Sequence, residues 1–330
     1  MIDVQRLRVL RAVAEHGSFN KAAGALLLTP SAVSQHIAVL ERTLGHPVAV
    51  RSTRGVTLTE PGRLLVEAAE SISDELDRVR RRIDRLGAAR PRLTLATFTS
   101  GGRHMLPGAL ARFVAALPEV ELTVLEAEPE EAVPMVRRGA ADLALTYHFD
   151  GPQPSGPGSR PALDWTPLMD DPLSVVLPRG HRLAERGSLE LGELAAERWV
   201  LGCLKTEAYL RRYAAQAGFE LRVAASTTDY FFAQSLVTAG VGVSLVPRVS
   251  LAPGPGAVAV EVEPPRPARY LGVIAVRRRA PQPYVEALTA ELVAEARADR
   301  GARTGTGADR GAAGAEDPAP AAAAPVSVRG

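Results

Sequence analysis

Apolar residues near the start of the chain recur every three or four positions, which is the spacing of one face of an α-helix. The first such face is formed by Val4, Leu7, Leu10 and Ala14. Gly17 and Ser18 then mark a helix end and the N-cap of a second helix. Thr29 followed by Pro30 favours the start of a third helix, because proline at the first helical position lacks an N–H that would have no partner there. The pattern predicts three short helices over residues 3–44.

The third predicted helix has two chemically different faces. Its apolar face carries Val33, Ile37, Leu40 and Leu44. Its opposite face carries small or polar residues and one arginine, with Ser34 at its edge: Ser31, Gln35, Ala38 and Arg42. Such a helix can pack along one side and enter the major groove with the other, where Ser and Gln reach base edges and Arg reaches phosphate or guanine.

A short hairpin is predicted after the third helix. Its strands are Val48–Val50 and Val56–Leu58, around the turn Arg51-Ser52-Thr53-Arg54-Gly55. Arginines at this tip are placed to contact phosphates or the minor groove. Residues 1–63 carry eight basic and four acidic side chains, although the net charge of the whole chain is only +2. Together these features predict a winged helix-turn-helix over residues 1–58, with a double-stranded DNA operator as its partner.

A long helix is predicted from its N-cap, Thr59, to about Leu86. Its apolar residues alternate by four and three positions: Leu65, Ala69, Ile72, Leu76, Val79, Ile83 and Leu86. Charged residues occupy most of the other faces, so only a narrow stripe can be buried. We therefore predict a dimerising linker helix over residues 59–88, while a helix packed on its own domain stays the alternative.

From Arg92 onward, predicted strands and helices alternate, which is typical of a mainly parallel sheet with helices on its faces. Two segments rich in Pro and Gly, 151–161 and 253–267, interrupt this alternation. The chain is thus expected to leave one lobe, build a second and return. The predicted fold is α/β overall, divided as follows: lobe 1 at 92–163 plus 268–298, lobe 2 at 164–267, and a disordered tail at 299–330.

Candidate ligand groups lie where predicted strands end and helices begin, because free N–H groups at helix N-termini attract anions. Three such junctions begin at Thr99, Gly202 and Ser226. With the end of a nearby strand, they supply these effector-binding candidates: Thr99, Ser100, Gly101, Tyr147, Gly202, Lys205, Thr227 and Thr228. The alternative for each hydroxyl is a role in capping its helix. Arg103 and Lys205 favour an acidic effector.

The sequence resembles the LysR-type transcriptional regulators over about residues 1–298. The most specific match is nearly ungapped and covers the first sixty residues: Gly17-Ser18-Phe19, Ala22-Ala23, Thr29–Ile37, Leu40-Glu41, Leu44-Gly45 and Arg54–Gly62. Looser matches follow in the second part of the chain: Met105-Leu106-Pro107, Phe113, Pro118, Gly139–Leu145, Pro178–Ala184 and Val237–Pro247.

The resemblance implies a dimerising linker helix, often within a tetramer, and a bilobed effector domain like that of periplasmic solute-binding proteins. In the family the third helix reads the operator and the wing contacts the backbone. These roles pass by position to Ser31, Ser34, Gln35, Arg51 and Arg54. The predicted DNA-binding surface also includes Thr29, Pro30, Arg42 and Thr53. The family's effector cleft lies between the lobes and uses the first junction, so Thr99 and Ser100 are the strongest effector candidates.

Other function classes find little support in the sequence. It has no Walker loop, no Gly-x-Ser-x-Gly and no metal-ligand cluster, so neither an enzyme activity, a cofactor nor a metal is predicted. The single cysteine, Cys203, is interpreted as a pocket wall, because peroxide-sensing relatives need a second cysteine. An enzyme or a solute-binding domain fused to a DNA-binding module stays the alternative. Without a secretory signal or a long apolar run, a cytoplasmic protein with no membrane partner is expected.

Overall fold

The computed structural model describes residues 2–52, 55–87, 89–149, 163–203, 206–277 and 282–305. Its first part is a three-helix head: α1 (Val4–His16), α2 (Phe19–Leu26) and α3 (Pro30–Leu44). The axes of α2 and α3 differ in direction by 106°, as in a helix-turn-helix. The predicted helix starts at Ser18 and Thr29 are confirmed, and Asp3 caps α1, because each of these three side chains accepts a backbone N–H of the following helix.

The predicted wing is present as an antiparallel pair, β1 (Ala49–Ser52) and β2 (Gly55–Leu58). Its tip residues Thr53 and Arg54 lie outside the described residues. The linker helix α4 (Glu60–Arg85) begins directly after it, and the Thr59 side chain caps it by accepting the Gly62 N–H. Glycine is required at position 62, since a Cβ there would lie 1.9 Å from the Val48 carbonyl oxygen.

The apolar stripe of α4 is covered along only half of its length. Ala69 is buried, and Leu65 packs against the core of the head. Further along, the stripe is exposed to solvent: Leu76, Val79, Ile83 and Leu86. The helix then docks on the next domain, where Arg85 Nη1 donates to Asp142 Oδ1 at 2.7 Å. The alternative of a helix packed on its own chain therefore describes the first half of α4, and dimerisation through the exposed half stays a prediction.

Lobe 1 contains a mixed sheet. Its strands are β3 (Arg92–Thr97), β4 (Glu121–Glu126), β5 (Leu143–His148), the first half of β6 (Leu163–Pro178) and the last strand, β12 (Ala268–Val276). They lie in the order β4-β3-β5-β12-β6. Its helices are α5 (Thr99–Ala116), α6 (Pro129–Arg138) and α9 (Pro283–Gly305). Strands β3, β4 and β5 are parallel, so the carboxyl ends of β3 and β5 meet at one edge.

Lobe 2 is built on the second half of β6, which pairs with two antiparallel strands. Its elements are β7 (Ser188–Leu189), β8 (Arg198–Leu201), α7 (Glu207–Gln216), β9 (Arg222–Ser226), α8 (Tyr230–Thr238), β10 (Ser244–Pro247) and β11 (Ala257–Val262). Strands β8 and β9 form a parallel pair. The Val200 N–H of β8 donates to the carbonyl oxygen of Val243, the residue just before β10. The predicted bilobed α/β architecture is confirmed.

Two details of the prediction need correction. Residues 164–172, predicted as part of lobe 2, pair with β12 of lobe 1, because the sixteen-residue strand β6 belongs to both lobes. Disorder from Asp299 onward was predicted too early, because the alanine-rich sequence continues α9 to Gly305. Asp299 pairs with His104 at 3.1 Å, and Arg300 donates to the Leu168 carbonyl. Residues 306–330 lie outside the described residues.

Strands β6 and β12 carry the chain between the lobes, and a buried ion pair joins them. Arg269 and Asp171 lie opposite each other in the ladder. Arg269 Nη2 and Nε donate to Asp171 Oδ2 at 2.7 and 3.0 Å, and Asp171 Oδ1 accepts the Val249 N–H at 3.0 Å. Both side chains are almost completely buried, so each charge depends on the other for compensation.

In the described part of the chain, no single helix is long and apolar enough to cross a membrane; only α2 and α3, taken together across their bend, pass that length and composition test.

Replacing Arg269 by Met should lower the free energy of unfolding by about 3–5 kcal/mol, because it leaves the Asp171 carboxylate buried without its counter-charge. Adding Asp171→Asn should recover much of this loss, since Asn keeps an oxygen to accept the Val249 N–H. Denaturant-induced unfolding of the full chain measures both effects.

The matched control is Arg277→Met, because Arg277, just after β12, pairs with Asp164 of β6 but the two side chains are 62% and 51% exposed. That change should cost at most about 1 kcal/mol. Equal losses for the two arginine variants would contradict the role given to the buried pair.

Candidate functional site

The outward face of α3 has the composition that the sequence predicted. Ser31, Gln35 and Arg42 are exposed, while Val33 and Ile37 on the opposite side are buried in the core of the head. A row of polar side chains therefore stands on a helix that is fixed from behind. This arrangement can present hydrogen-bonding groups to base edges in a major groove.

Thr29 and Pro30 form the start of this helix. The Thr29 hydroxyl accepts the Ala32 N–H at 3.2 Å and lies 3.0 Å from the Ser31 hydroxyl. Pro30 occupies the first turn. The geometry gives both residues a structural role at the N-terminus of α3, and their predicted contact with DNA stays a prediction.

The wing is tied to α3 through one arginine. Arg51 Nη2 donates to the Ser34 hydroxyl at 2.9 Å, and the Arg51 guanidinium lies 3.9 Å from the centre of the Phe19 ring. The sequence singled out Arg51 and Ser34 as separate DNA contacts, whereas the structure brings them together. Sequence reasoning did not identify Phe19 as part of this contact.

A second candidate site lies at the boundary of the two lobes. Its walls come from the carboxyl ends of β3 and β5, from the N-terminal turn of α8 and from the crossover strand β12. The lining residues are Phe98, Thr99, Ser100, Glu128, Tyr147, Cys203, Thr228, Asp229, Tyr230, Phe231 and Arg269. Thus all three predicted junctions contribute to one cavity.

The predicted effector residues divide into two groups. Thr99, Ser100, Tyr147 and Thr228 line the cavity. The other described candidates are sequence neighbours of lining residues and do not line the cavity themselves. Gly101 and Gly202 make room for aromatic walls, since a Cβ on either would lie 2.1 Å from the Phe98 ring or 2.3 Å from the Tyr230 ring. The Thr227 hydroxyl is used in the turn before α8, where it accepts the Asp229 N–H at 3.1 Å. Lys205 lies outside the described residues.

Arg269 is the main residue that sequence reasoning missed. Its two Nη atoms both lie 3.3 Å from the Ser100 hydroxyl, and its guanidinium lies 4.7 Å from the centre of the Tyr147 ring. The available signal was a single arginine at the start of an otherwise apolar strand. Its partners are distant in sequence, so no local pattern could assign it to this cavity.

The cavity donates hydrogen bonds through neutral hydroxyls. Burial, followed by the nearby Glu128 carboxylate, raises the pKa of Tyr147, whose hydroxyl donates to Glu128 at 3.0 Å. Burial also raises the pKa of Tyr230. Both phenols therefore stay protonated at neutral pH and can act as donors.

The charges around the cavity change the expectation of an acidic effector. The Arg269 charge is already compensated by Asp171, and Glu128 adds a carboxylate to the lining. Arg103 stacks on the Phe231 ring at 3.9 Å and is not part of the lining. An acidic effector therefore stays a prediction that has lost one of its two original supports.

The free volume of the cavity is about 20 Å³, which is room for about one water molecule. Sites for small molecules typically enclose about 300–1,000 Å³. A ligand much larger than a water molecule therefore requires that the lobes or the side chains around Arg269 move apart.

Comparisons with known proteins agree with this two-part architecture. The family model described as "Bacterial regulatory helix-turn-helix protein, lysR family" matches residues 4–63. The model described as "LysR substrate binding domain" matches residues 87–297. The second match alone covers more than half of the chain.

Curated relatives and solved structures resemble the chain over most of its length. The Hca operon transcriptional activator HcaR of Escherichia coli is 27% identical, covering 74% of this chain and 82% of the relative. The uncharacterized HTH-type transcriptional regulator YcgK of Bacillus subtilis is 29% identical, covering 89% and 93%. A mutant of Corynebacterium glutamicum OxyR has a similar fold, with a TM-score of 0.54 at 21% identity, covering 92% and 95%.

The polar face of α3, the two-lobed domain and the two family matches lead to one conclusion: the chain belongs to the LysR family of bacterial transcriptional regulators.

Proposed function

We propose that this protein regulates transcription by binding an operator through α3 and the wing, under the control of a small molecule bound between the lobes. The observation that carries the proposal is the combination, in one chain, of an exposed reading face and a cavity to which both lobes contribute. The relatives, which are named as transcriptional regulators, support regulation rather than catalysis. Because DNA is its target, we place the protein in the cytoplasm.

Base recognition is assigned to the outward face of α3. Ser31 and Gln35 are exposed near its N-terminal half, where a recognition helix contacts base edges. Arg42 is exposed near its end and is assigned to phosphate, together with the wing arginines Arg51 and Arg54. These roles separate sequence preference from general affinity.

Replacing Gln35 by Ala should relax the preference among operator variants, since a polar contact to a base edge is lost. Arg54→Ala should instead weaken binding to all duplexes and reduce the slope of log affinity against log salt by about one. Salt-dependent binding to operator and random duplexes measures both effects. Equal losses for both variants on both duplexes would refute the division of roles.

The protein is proposed to act as a dimer, or as a dimer of dimers, through the exposed part of the α4 stripe. Leu76 and Ile83 lie on this stripe and are 56% and 60% exposed. Pairing two copies along the stripe would cover them and present two heads to two half-sites. The charged residues on the other faces of α4 can stay in solvent.

The double change Leu76→Asp and Ile83→Asp should raise the dimer dissociation constant by about 100-fold or more, since each buried aliphatic side chain contributes about 1.5–3 kcal/mol. Sedimentation equilibrium measures this shift. Leu64→Asp is the matched control, because Leu64 lies on the same helix, is 59% exposed and is not part of the stripe. An unchanged dissociation constant in the double variant would exclude this stripe as the dimer surface.

The effector is proposed to bind at the closed cavity and to compete with the contact between Arg269 and Ser100. Ser100 is buried on α5 of lobe 1, and Thr228 approaches from lobe 2. A ligand between them would alter the separation of the lobes. This is how a local contact can change the arrangement of the whole domain.

Ser100→Phe should abolish the response to a metabolite that alters the DNA footprint of the wild type, while operator affinity without the metabolite stays within about twofold. Footprinting with and without that metabolite tests this. Ser235→Phe is the control, since Ser235 is an exposed serine of lobe 2 on α8. An undiminished response in Ser100→Phe would remove Ser100 from the site. Ser100-dependent turnover of the metabolite would favour the alternative of a fused enzyme.

A further inference from the structure

The guanidinium of Arg51 joins three elements of the DNA-binding head. Arg51 belongs to β1, Ser34 to α3 and Phe19 to the start of α2. One N–H group of Arg51 donates to the Ser34 hydroxyl at 2.9 Å, while its Cζ lies 3.9 Å from the centre of the Phe19 ring. A guanidinium can make both contacts at once, because its flat face stacks on an aromatic ring while its edge donates hydrogen bonds.

Phe19 is a fixed platform for this stacking. The side chain belongs to the core of the head and is only 8% exposed. Its position is therefore set by the surrounding aliphatic residues. Arg51 itself is exposed, so without the ring it would sample many rotamers, as long charged side chains do.

The two contacts orient the Arg51 charge without neutralising it, because neither a benzene ring nor a hydroxyl is an anion. Ser34 uses one of the five N–H groups that a guanidinium carries. Ser34 also borders the exposed face of α3 that carries Ser31 and Gln35. The oriented cation thus lies at the junction between the wing and the reading face.

We propose that Phe19 and Ser34 are positioning residues that present Arg51 to DNA in a fixed orientation. The inference rests on the proposed DNA-binding function of the head. It replaces the direct base contact predicted for Ser34 by a role exerted through Arg51. If Arg51 is already ordered in the free protein, less side-chain entropy is lost when it contacts DNA. This saving corresponds to about two- to tenfold higher affinity for DNA.

The test is a double-mutant cycle on the full chain. Two DNA probes are used: a duplex selected by the wild type from a random-sequence pool, and a random duplex. Phe19→Leu should weaken binding by about two- to tenfold when Arg51 is present and by less than about 1.5-fold in the Arg51→Ala background. Ser34→Ala should show the same dependence on Arg51. Phe19→Tyr keeps the aromatic face, so this variant should bind DNA as tightly as the wild type.

Arg63 supplies the control cation, since its guanidinium pairs with Glu60. Phe19→Leu and Arg63→Ala should therefore have additive effects. Thermal unfolding of each variant, together with the conservative Phe19→Tyr, separates a damaged core from a displaced arginine.

Equal losses from Phe19→Leu with and without Arg51 would overturn the inference, because they would show a purely structural role. A change of preferred base caused by Ser34→Ala in the Arg51→Ala background would also overturn it, since Ser34 would then read DNA directly. Equal affinity of the wild type for both probes would refute the proposed function, whereas the cycle on the random duplex would still decide the inference. No binding to either probe would overturn both.

Discussion

The effector domain is organised around one buried ion pair, Asp171 with Arg269. The two residues lie opposite each other on β6 and β12, the strands that connect the lobes. Asp171 also accepts an N–H from Val249, and Arg269 also donates to Ser100 of lobe 1. Because an uncompensated charge at this depth is costly, the two crossover strands are held in one register. The same pair therefore fixes both the hinge and the floor of the cavity.

The position of Arg269 places a buried ion pair at the proposed effector site. Its guanidinium fills the space in which the junctions of both lobes meet, leaving about 20 Å³ free. In the proposed effector complex, an entering ligand would replace the contact between Arg269 and Ser100 and would leave the salt bridge with Asp171 intact. The weaker, longer contact at 3.3 Å is thus the one available for exchange, whereas the bond at 2.7 Å holds the strands together.

The sequence predicts local features of this molecule well, because their causes are local. The caps formed by Asp3, Ser18 and Thr29 depend on residues within one helical turn, and the two faces of α3 follow from the period of its apolar residues.

Long-range features were harder to predict. Ser100 and Arg269 are separated by 169 positions. The part of β6 that pairs with β12 contains Pro167 and Pro172, which are unfavourable inside a strand and weaken the strand pattern of the sequence there. Phe19 lies in the core of the head, but the stacking of Arg51 on its ring depends on a strand formed much later in the chain.

The attachment of the linker helix determines which part of the molecule can move. Arg85 at the end of α4 pairs with Asp142, and the other oxygen of Asp142 accepts the Thr94 N–H of β3. Arg78, about two helical turns before Arg85 on the same face of α4, lies against Gly139 at the end of α6, where a Cβ would be only 3.0 Å from the Arg78 side chain. The linker is therefore anchored to lobe 1 at two places. If the effector separates the lobes, lobe 1 and α4 move as one body and lobe 2 moves against them. Such a change in the separation of the lobes would leave the attachment of α4 to lobe 1 unchanged, with no need to bend α4.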